Sequence, residues 1–562
     1  MNILGVSCFY HDAAACLLQD GRIIAAAQEE RFNREKYSEV FPINAINFCL
    51  QEGGIISQDI DYLGFYEKPF LKFSRVVLNH IKAYPFSLGN FISTMPQWLE
   101  DRLIVPLKVK KDLCYPGEVL FIKHHLSHAA SAFLPSPFPE AAIITADGVG
   151  EWATTSIGFG QGNNIRILKE MHYPDSLGLL YAAITTYLGF KVFEGEGKVM
   201  ALAAYGKPRY LKEIREVVTV KPDGSFRLNP GFFSLNRDRR MYAKKFIKKF
   251  GKDRDPQEKI TERHCDMAAT LQKFTEDTLI AIARNLHAIT KMDKLCLGGG
   301  VFLNCVANQR LKEEAPFKEI YIQPAAGDNG GALGAAYYIY NTLLQNPRRY
   351  ILSDVYLGPQ FSPDQIRRVL LSQGLNFKEL NDVELAEQVA AELAADKIIA
   401  WFQGRMEFGP RALGNRSILA NPCNPAMKDI LNSRIKKRES FRPFAPAVLE
   451  EKARDFFELE EASRFMLLAP RIKKEKIGSI PAVSHVDGAA RVQTVSQDSN
   501  PKFWRLIKAY EDRTGIPILL NTSFNLQGEP IVCSPEEAID CFRRSGIDCL
   551  VLENYIVEKQ QA

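Results

Sequence analysis

One pattern of apolar and polar positions occurs twice in the first third of the chain. Ile3 to Val6 reads as a buried strand, Ser7 to Ala14 as a loop of small and polar residues, and Ala15 to Leu18 as a returning strand. Asp20-Gly21 then turns the chain into a third strand at Ile23 to Ala26. From Ala142 the order repeats: a strand to Ala146, the loop Asp147-Gly148-Val149-Gly150-Glu151, a strand over Thr154 to Phe159, a turn over Gly160 to Asn164, and a strand over Ile165 to Leu168. The repetition predicts two duplicated halves facing each other across a cleft, with loops placed to cradle phosphate. Farther on, Lys294 to Leu297 predicts a strand running into Gly298-Gly299-Gly300 and a helix from Asn304 to Leu311. Ile320 to Ile322 predicts another strand, with Asp328 at its end and Gly330-Gly331 after it. Neither turn matches GxGxxG or a Walker A loop, so the nucleotide geometry expected here differs from those folds. The candidate nucleotide contacts are Gly148, Gly299, Gly300, Asn304, Gly330 and Gly331, where glycine lets backbone approach a ligand and a helix start favours an anion.

Beyond Tyr340 the character changes. Residues 1–345 read as one domain, 346–372 as a linker, and 373–562 as a second domain whose chemistry is arginine. A strand at Ile398 to Phe402 leads into Gly404-Arg405 and on through Arg411 to Arg416; Arg438, Arg442, Arg491, Asn521 and Ser523 follow later. These arginines stand among Gly, Pro and aromatic residues behind apolar strands, which is how phosphate or carboxylate forks are placed. The Lys- and Arg-rich stretch from Arg237 to Lys252 reads instead as an ordinary helical surface.

Composition narrows the class. The 562 residues, 46% hydrophobic and 24% charged, suffice for several packed domains and exclude a disordered chain. No basic n-region precedes His11 and Asp12, and the uncharged, largely apolar stretch Ser176 to Phe190 is too short to span a bilayer. A cytoplasmic protein without a membrane partner is expected. Eleven cysteines without a CxxC pair predict reduced thiols rather than a disulfide framework or zinc ribbon. A net charge of +5 suits anionic small molecules and does not call for nucleic acid. His124 and His128, four apart, share one face of a predicted helix. The strand that follows ends on Asp147, a carboxylate able to close a mononuclear metal site from across the cleft.

The segments Gly5 to Ala15, Glu29 to Phe32 with Lys36 and Phe41-Pro42, the His124/His128 pair, Gly298 to Asn304 and Glu407 to Ser417 together resemble the O-carbamoyltransferases that act on nodulation factors, cephalosporins and aminoglycosides such as tobramycin. The resemblance spans nearly the whole chain, with its motifs in family order. It implies an α/β and α+β architecture: an N-terminal domain of the actin and sugar-kinase ATPase type, and a C-terminal domain similar to the threonylcarbamoyl-adenylate synthase. It also implies two steps. Carbamoyl phosphate and ATP give carbamoyl adenylate, and the carbamoyl group then passes to a hydroxyl of a small-molecule acceptor. The metal ligands implied are His124, His128, Asp147 and Asp328, with iron(II) as the expected ion, although two imidazoles and two carboxylates equally accept Mn or Zn. ATP is expected as its Mg complex. Lys36 is implied as a carbamoyl or phosphate contact, and without the resemblance it reads equally well as a solvated helix end. His11, in the first loop, is the candidate general base, having the right pKa for an attacking hydroxyl. A tRNA-directed threonylcarbamoyl transferase and a non-catalytic nucleotide-binding regulator are the rival classes. The first lacks an aromatic stacking pattern in its basic insert, and the second leaves the arginine cluster idle. The acceptor pocket is expected from the segments Tyr66 to Cys114 and Pro208 to Thr261.

Overall fold

The computed structural model describes residues 1–559 apart from 83, 86 and 236–239. Positions 237–239 of the basic stretch therefore lie outside the described residues. Its later part forms a helix, Lys244–Phe250, that buries Phe246 and Phe250. The chain divides into two compact units: Met1–Glu30 with Tyr37–Leu352, and Arg31–Lys36 with Ser353–Ala562. This corrects the expected linker. Residues 353–372 belong to the second unit, and Pro363–Ser372 is a helix capped by Ser362 that buries Ile366 and Leu370.

In the first unit, β1 (Asn2–Ser7), β2 (Ala14–Gln19) and β3 (Arg22–Gln28) form an antiparallel ribbon. β4 (Tyr62–Phe65) and β5 (Val119–Phe121) extend it in parallel beyond β1, in the order β3-β2-β1-β4-β5. The second sheet repeats this with β6 (Glu140–Ala146), β7 (Ala153–Gln161) and β8 (Asn164–His172). After a small ribbon of β9 (Val218–Val220) and β10 (Phe226–Leu228), β11 (Lys294–Gly298) and β12 (Glu319–Ile322) complete the order β8-β7-β6-β11-β12. Strand order and sense agree throughout, so the duplication in the sequence is a duplication of structure, in the topology of the actin and sugar-kinase ATPases. β1 and β2 are buried on both faces, which explains their unbroken apolar runs.

Each half sends a helix onto the sheet of the other. The helix His124–Phe133 follows β5 yet packs on β6 and β11, while the helix Asp328–Tyr337 follows β12 yet packs on β1, β2 and β4. Glycines permit this. A Cβ on Gly5 would stand 1.9 Å from the Ala332 carbonyl oxygen, and one on Gly334 would stand 1.9 Å from that of Ser127, where the two helices cross. That crossing sets His124, His128 and Asp328 together.

The second unit is built on one mixed sheet of β13 (Lys378–Glu379), β14 (Ile399–Phe402), β15 (Arg416–Ala420), β16 (Ala445–Leu449), β17 (Gln493–Val495), β18 (Ile518–Ser523), β19 (Cys549–Leu552) and β20 (Tyr555–Glu558), in the order β13-β20-β19-β14-β15-β18-β16-β17. The helices Asp382–Ala394 and Pro501–Thr514 press Leu385, Val389, Phe503 and Tyr510 onto Trp401, Leu419 and Leu519. All eleven cysteines are free. Among the described residues no helix is long and apolar enough to cross a membrane.

Candidate metal centre and cationic loops

His124 and His128 project from one face of their helix toward Asp147, the first residue past β6, and Asp328, the first residue of its helix. Asp328 had been expected at the end of β12. It stands instead a short loop later, where the helix start aims it at the imidazoles. The two Nε2 atoms lie 3.1 Å apart, and Asp147 Oδ2 is 3.1 Å from the first and 3.2 Å from the second. Asp328 Oδ1 lies 3.7 Å and 3.5 Å from them. One donor atom from each of the four residues falls within 4.8 Å of all the others. Two imidazole nitrogens this close cannot both point a proton at each other, and Asp328 Oδ1 is buried without a hydrogen bond. The donor set thus fits a divalent transition-metal ion, iron(II), manganese or zinc.

The surroundings orient these ligands. Glu151, at the end of the Asp147 loop, accepts the backbone N–H of His124 at 3.0 Å and that of Lys68 at 2.8 Å, which places a carboxylate at the N-terminus of the histidine helix. Glu67 Oε2 lies 4.0 Å from His124 Nδ1 and holds Lys72 Nζ at 2.6 Å. The Tyr66 hydroxyl donates to Asp328 Oδ2 at 3.5 Å. His11 approaches from the first loop with Nε2 3.8 Å from Asp328 Oδ2 and Nδ1 3.0 Å from Asp12 Oδ2. Burial opposes charge on His11, but Asp328 and Asp12 outweigh it and push the imidazole up to about 10. A cation that took up the charge of those carboxylates would lower it again. His128 is likewise raised to about 9, against its burial, by Asp147 and Asp328.

The expected nucleotide contacts divide. Gly300 faces the site: a Cβ there would come 2.9 Å from Asp147 Oδ1. Gly299, at φ +99°, passes so close to Ala146 that a Cβ would stand 2.3 Å from its carbonyl oxygen, and Gly148 borders the Tyr10 hydroxyl. Gly330 and Gly331 are positions of close packing, where a Cβ would stand 2.1 Å from the Ala325 carbonyl oxygen and 2.7 Å from the Tyr66 ring. Asn304 accepts from Ala307 N as a helix cap and exchanges hydrogen bonds with Gln272.

In the second unit the arginines also divide. Arg416 is wholly buried, stacks 3.5 Å over Phe402 and donates to the carbonyls of Gln403, Gly404, Asn415 and Pro359. It is a structural guanidinium and not the phosphate fork expected of it. Arg405 donates to the carbonyls of Leu357 and Gly358, and the Asn521 amide to Gln493 and Ala412. Glu407 fixes the turn that carries Arg411 by accepting from the backbone of Leu413, Asn415 and Arg416. Arg438, Arg442 and Arg491 do gather, joined by Lys436, which donates to Ser523 and Asn525. Burial, then Arg442 and Arg491, push Arg438 down to about 9; burial, Arg438, Arg442 and Lys36 lower Lys436. Such mutual repulsion marks a place for an anion. Lys36 reaches this group because Arg31–Lys36 is part of the second unit. There Arg31 donates to the Gly409 carbonyl, Arg34 to those of Pro530 and Ile531, and Phe32 packs on Met406 and Ile531. Glu67, Glu151, Lys436 and Glu407 were not legible as site residues, since lone charges in a sequence carry no periodic signal; the Lys436-Lys437-Arg438 run was the one visible clue.

Known proteins agree with this division. Residues 2–337 match the family description "Carbamoyltransferase N-terminus" and residues 390–559 "Carbamoyltransferase C-terminus". An uncharacterised protein of Synechocystis sp. is 45% identical, covering 99% of this chain and 97% of its own. Nodulation protein NolNO of Sinorhizobium fredii is 38% identical over 99% of this chain and 80% of its own, and nodulation protein NolO of Bradyrhizobium diazoefficiens 39% identical over 78% and 79%. Two family matches that between them take in both units, with full-length relatives beside them, establish that the chain belongs to the carbamoyltransferase family and is a carbamoyltransferase.

Proposed function

We propose that the protein is an ATP-dependent O-carbamoyltransferase. Water hydrolyses carbamoyl phosphate to carbamate and phosphate, the carbamate oxygen attacks the α-phosphorus of ATP to give carbamoyl adenylate with release of pyrophosphate, and a hydroxyl of a small-molecule acceptor then displaces AMP to leave a carbamate ester. The observation that carries this reading is the convergence of His124, His128, Asp147 and Asp328 with His11 beside Asp328. A cation held there by the four side chains would polarise the adenylate and so ease attack at the carbamoyl carbon. Asp12 fixes Nδ1 of His11 and leaves Nε2 as the nitrogen that takes the proton of the attacking hydroxyl. The Asp147–Glu151 loop, with Gly148 and Gly300, borders the same four ligands and suits the nucleotide. In the second unit Lys36, Arg411, Lys436, Arg438, Arg442 and Arg491 would hold carbamoyl phosphate and the polyphosphate, and neutralise charge gathering on the departing pyrophosphate.

The test supplies carbamoyl phosphate and ATP, follows pyrophosphate, and screens sugars, polyols and aminoglycosides by mass spectrometry for one carbamoyl group in place of one hydrogen. Pyrophosphate release that requires carbamoyl phosphate is expected. Its absence in metal-loaded protein would exclude the adenylate route.

A further inference from the structure

The helix Pro69–Lys82 is turned inside out. Its outward positions Phe70, Leu71, Leu78 and Ile81 are exposed and apolar, while its inward face buries Lys72 and Arg75. A helix packed for stability alone does the reverse, because a buried charge without a partner costs several kcal/mol. Lys72 has its partner in Glu67 and lies 4.8 Å over the Tyr10 ring. Arg75 has none. Only 7% exposed, it makes no hydrogen bond or ion pair among the described residues, and its Nε is sealed from solvent. Its Cζ lies over the Tyr173 ring, 5.2 Å from the ring centre. The groups that face it are Tyr10, Tyr173, Glu67 and Glu151. Both carboxylates are engaged elsewhere, Glu67 by Lys72 and Glu151 by the backbone of Lys68 and His124. Tyr10 ties this corner to the metal centre: its ring packs 4.8 Å from His11, and its hydroxyl borders Gly148 and feels Asp147 and Asp328.

We propose that Arg75 is the anion-binding group of the acceptor pocket, so that the molecule carbamoylated here carries a carboxylate, sulfate or phosphate beside its reacting hydroxyl. The inference rests on the carbamoyl-transfer reading of the same cleft. A buried guanidinium whose N–H donors meet no acceptor among the described residues suits an oxyanion.

The test uses the whole protein and matched acid and neutral ligands: glucuronate and glucose 6-phosphate against glucose, by calorimetric titration and then as acceptors with carbamoyl phosphate and ATP. The wild type is expected to take the acids about 10- to 100-fold more tightly, Arg75→Ala to erase the difference, and Arg75→Lys to restore part of it. The loss should fall on the KM for the acid acceptor and not on that for ATP. Equal affinity of the wild type for acid and neutral members, or a preference that survives in Arg75→Ala, overturns the proposal. A raised KM for ATP with the acid preference intact assigns the guanidinium to the nucleotide phosphate and overturns it too. If the wild type releases no pyrophosphate, the transfer reading fails, while the titrations still decide whether Arg75 takes an oxyanion. Arg75→Gln, similar in length and neutral, replaces the alanine variant should that one not fold.

Discussion

At the scale of single residues, burial separates chemistry from scaffolding. Arg416 and Arg411 stand in one turn and look alike in the sequence. Arg416 satisfies four backbone carbonyls inside the second unit, so Arg416→Lys, which cannot reproduce the fork, should lower stability by roughly 2 kcal/mol or more, read as a fall in the denaturation midpoint. Arg411→Ala should instead lower carbamoyl-phosphate-dependent ATP/pyrophosphate exchange about 10- to 100-fold in folded protein. Exchange at the wild-type rate would return Arg411 to the scaffold. Glu67 Oε2 lies 4.0 Å from Nδ1 of His124, an ion-pair distance and not a hydrogen bond. Glu67→Gln is expected to weaken metal retention about 10- to 100-fold in competition with a chelator, and undiminished retention would show that Glu67 does not support His124.

At the scale of elements, the convergence of His124, His128, Asp147 and Asp328 depends on two crossing helices, and both can be perturbed without touching any of the four. Inside a helix Gly→Ala ordinarily stabilises by up to about 1 kcal/mol. At Gly334 the sign reverses, because the new methyl would fall 1.9 Å from the Ser127 carbonyl oxygen. Gly334→Ala should lower the melting temperature and release bound metal together, measured by calorimetry and elemental analysis; a more stable protein would show that the crossing is looser than described. Glu151 caps the histidine helix from outside it, since Lys123 at the N-cap makes no side-chain cap. Helix geometry made the His124/His128 pair legible, for four residues are one turn. The partner carboxylate of a helix start has no such spacing, which is why Glu151 was missed and Asp328 was placed on the wrong element.

At the scale of the whole molecule, the second unit carries a charge problem that a ligand would solve. Lys436 is lowered first by burial and then by Arg438, Arg442 and Lys36. Its charge therefore destabilises the folded state below that depressed pKa, and the penalty disappears as pH rises toward the unfolded value. A bound polyanion restores the proton, so binding takes up a proton within that window. Thermal protection by inorganic pyrophosphate should weaken as pH rises through it, and Lys436→Met should flatten the dependence. A pH-independent protection in the wild type would leave Lys436 outside the anion site. The duplicated strands, the helix that carries His124 and His128 on one face and the arginine-bearing turn after β14 were legible in the sequence itself, because apolar periodicity and turn chemistry act over a few neighbouring residues. Only the tertiary structure decided the rest. It laid each half's helix on the other half's sheet and so brought Asp328 to His124. It also placed Arg31–Lys36 in the second unit, sank Arg416 among carbonyls and turned Arg75 inward. Each of these is set by packing between segments far apart in the chain, and no local pattern of residues encodes which distant backbone a side chain will meet.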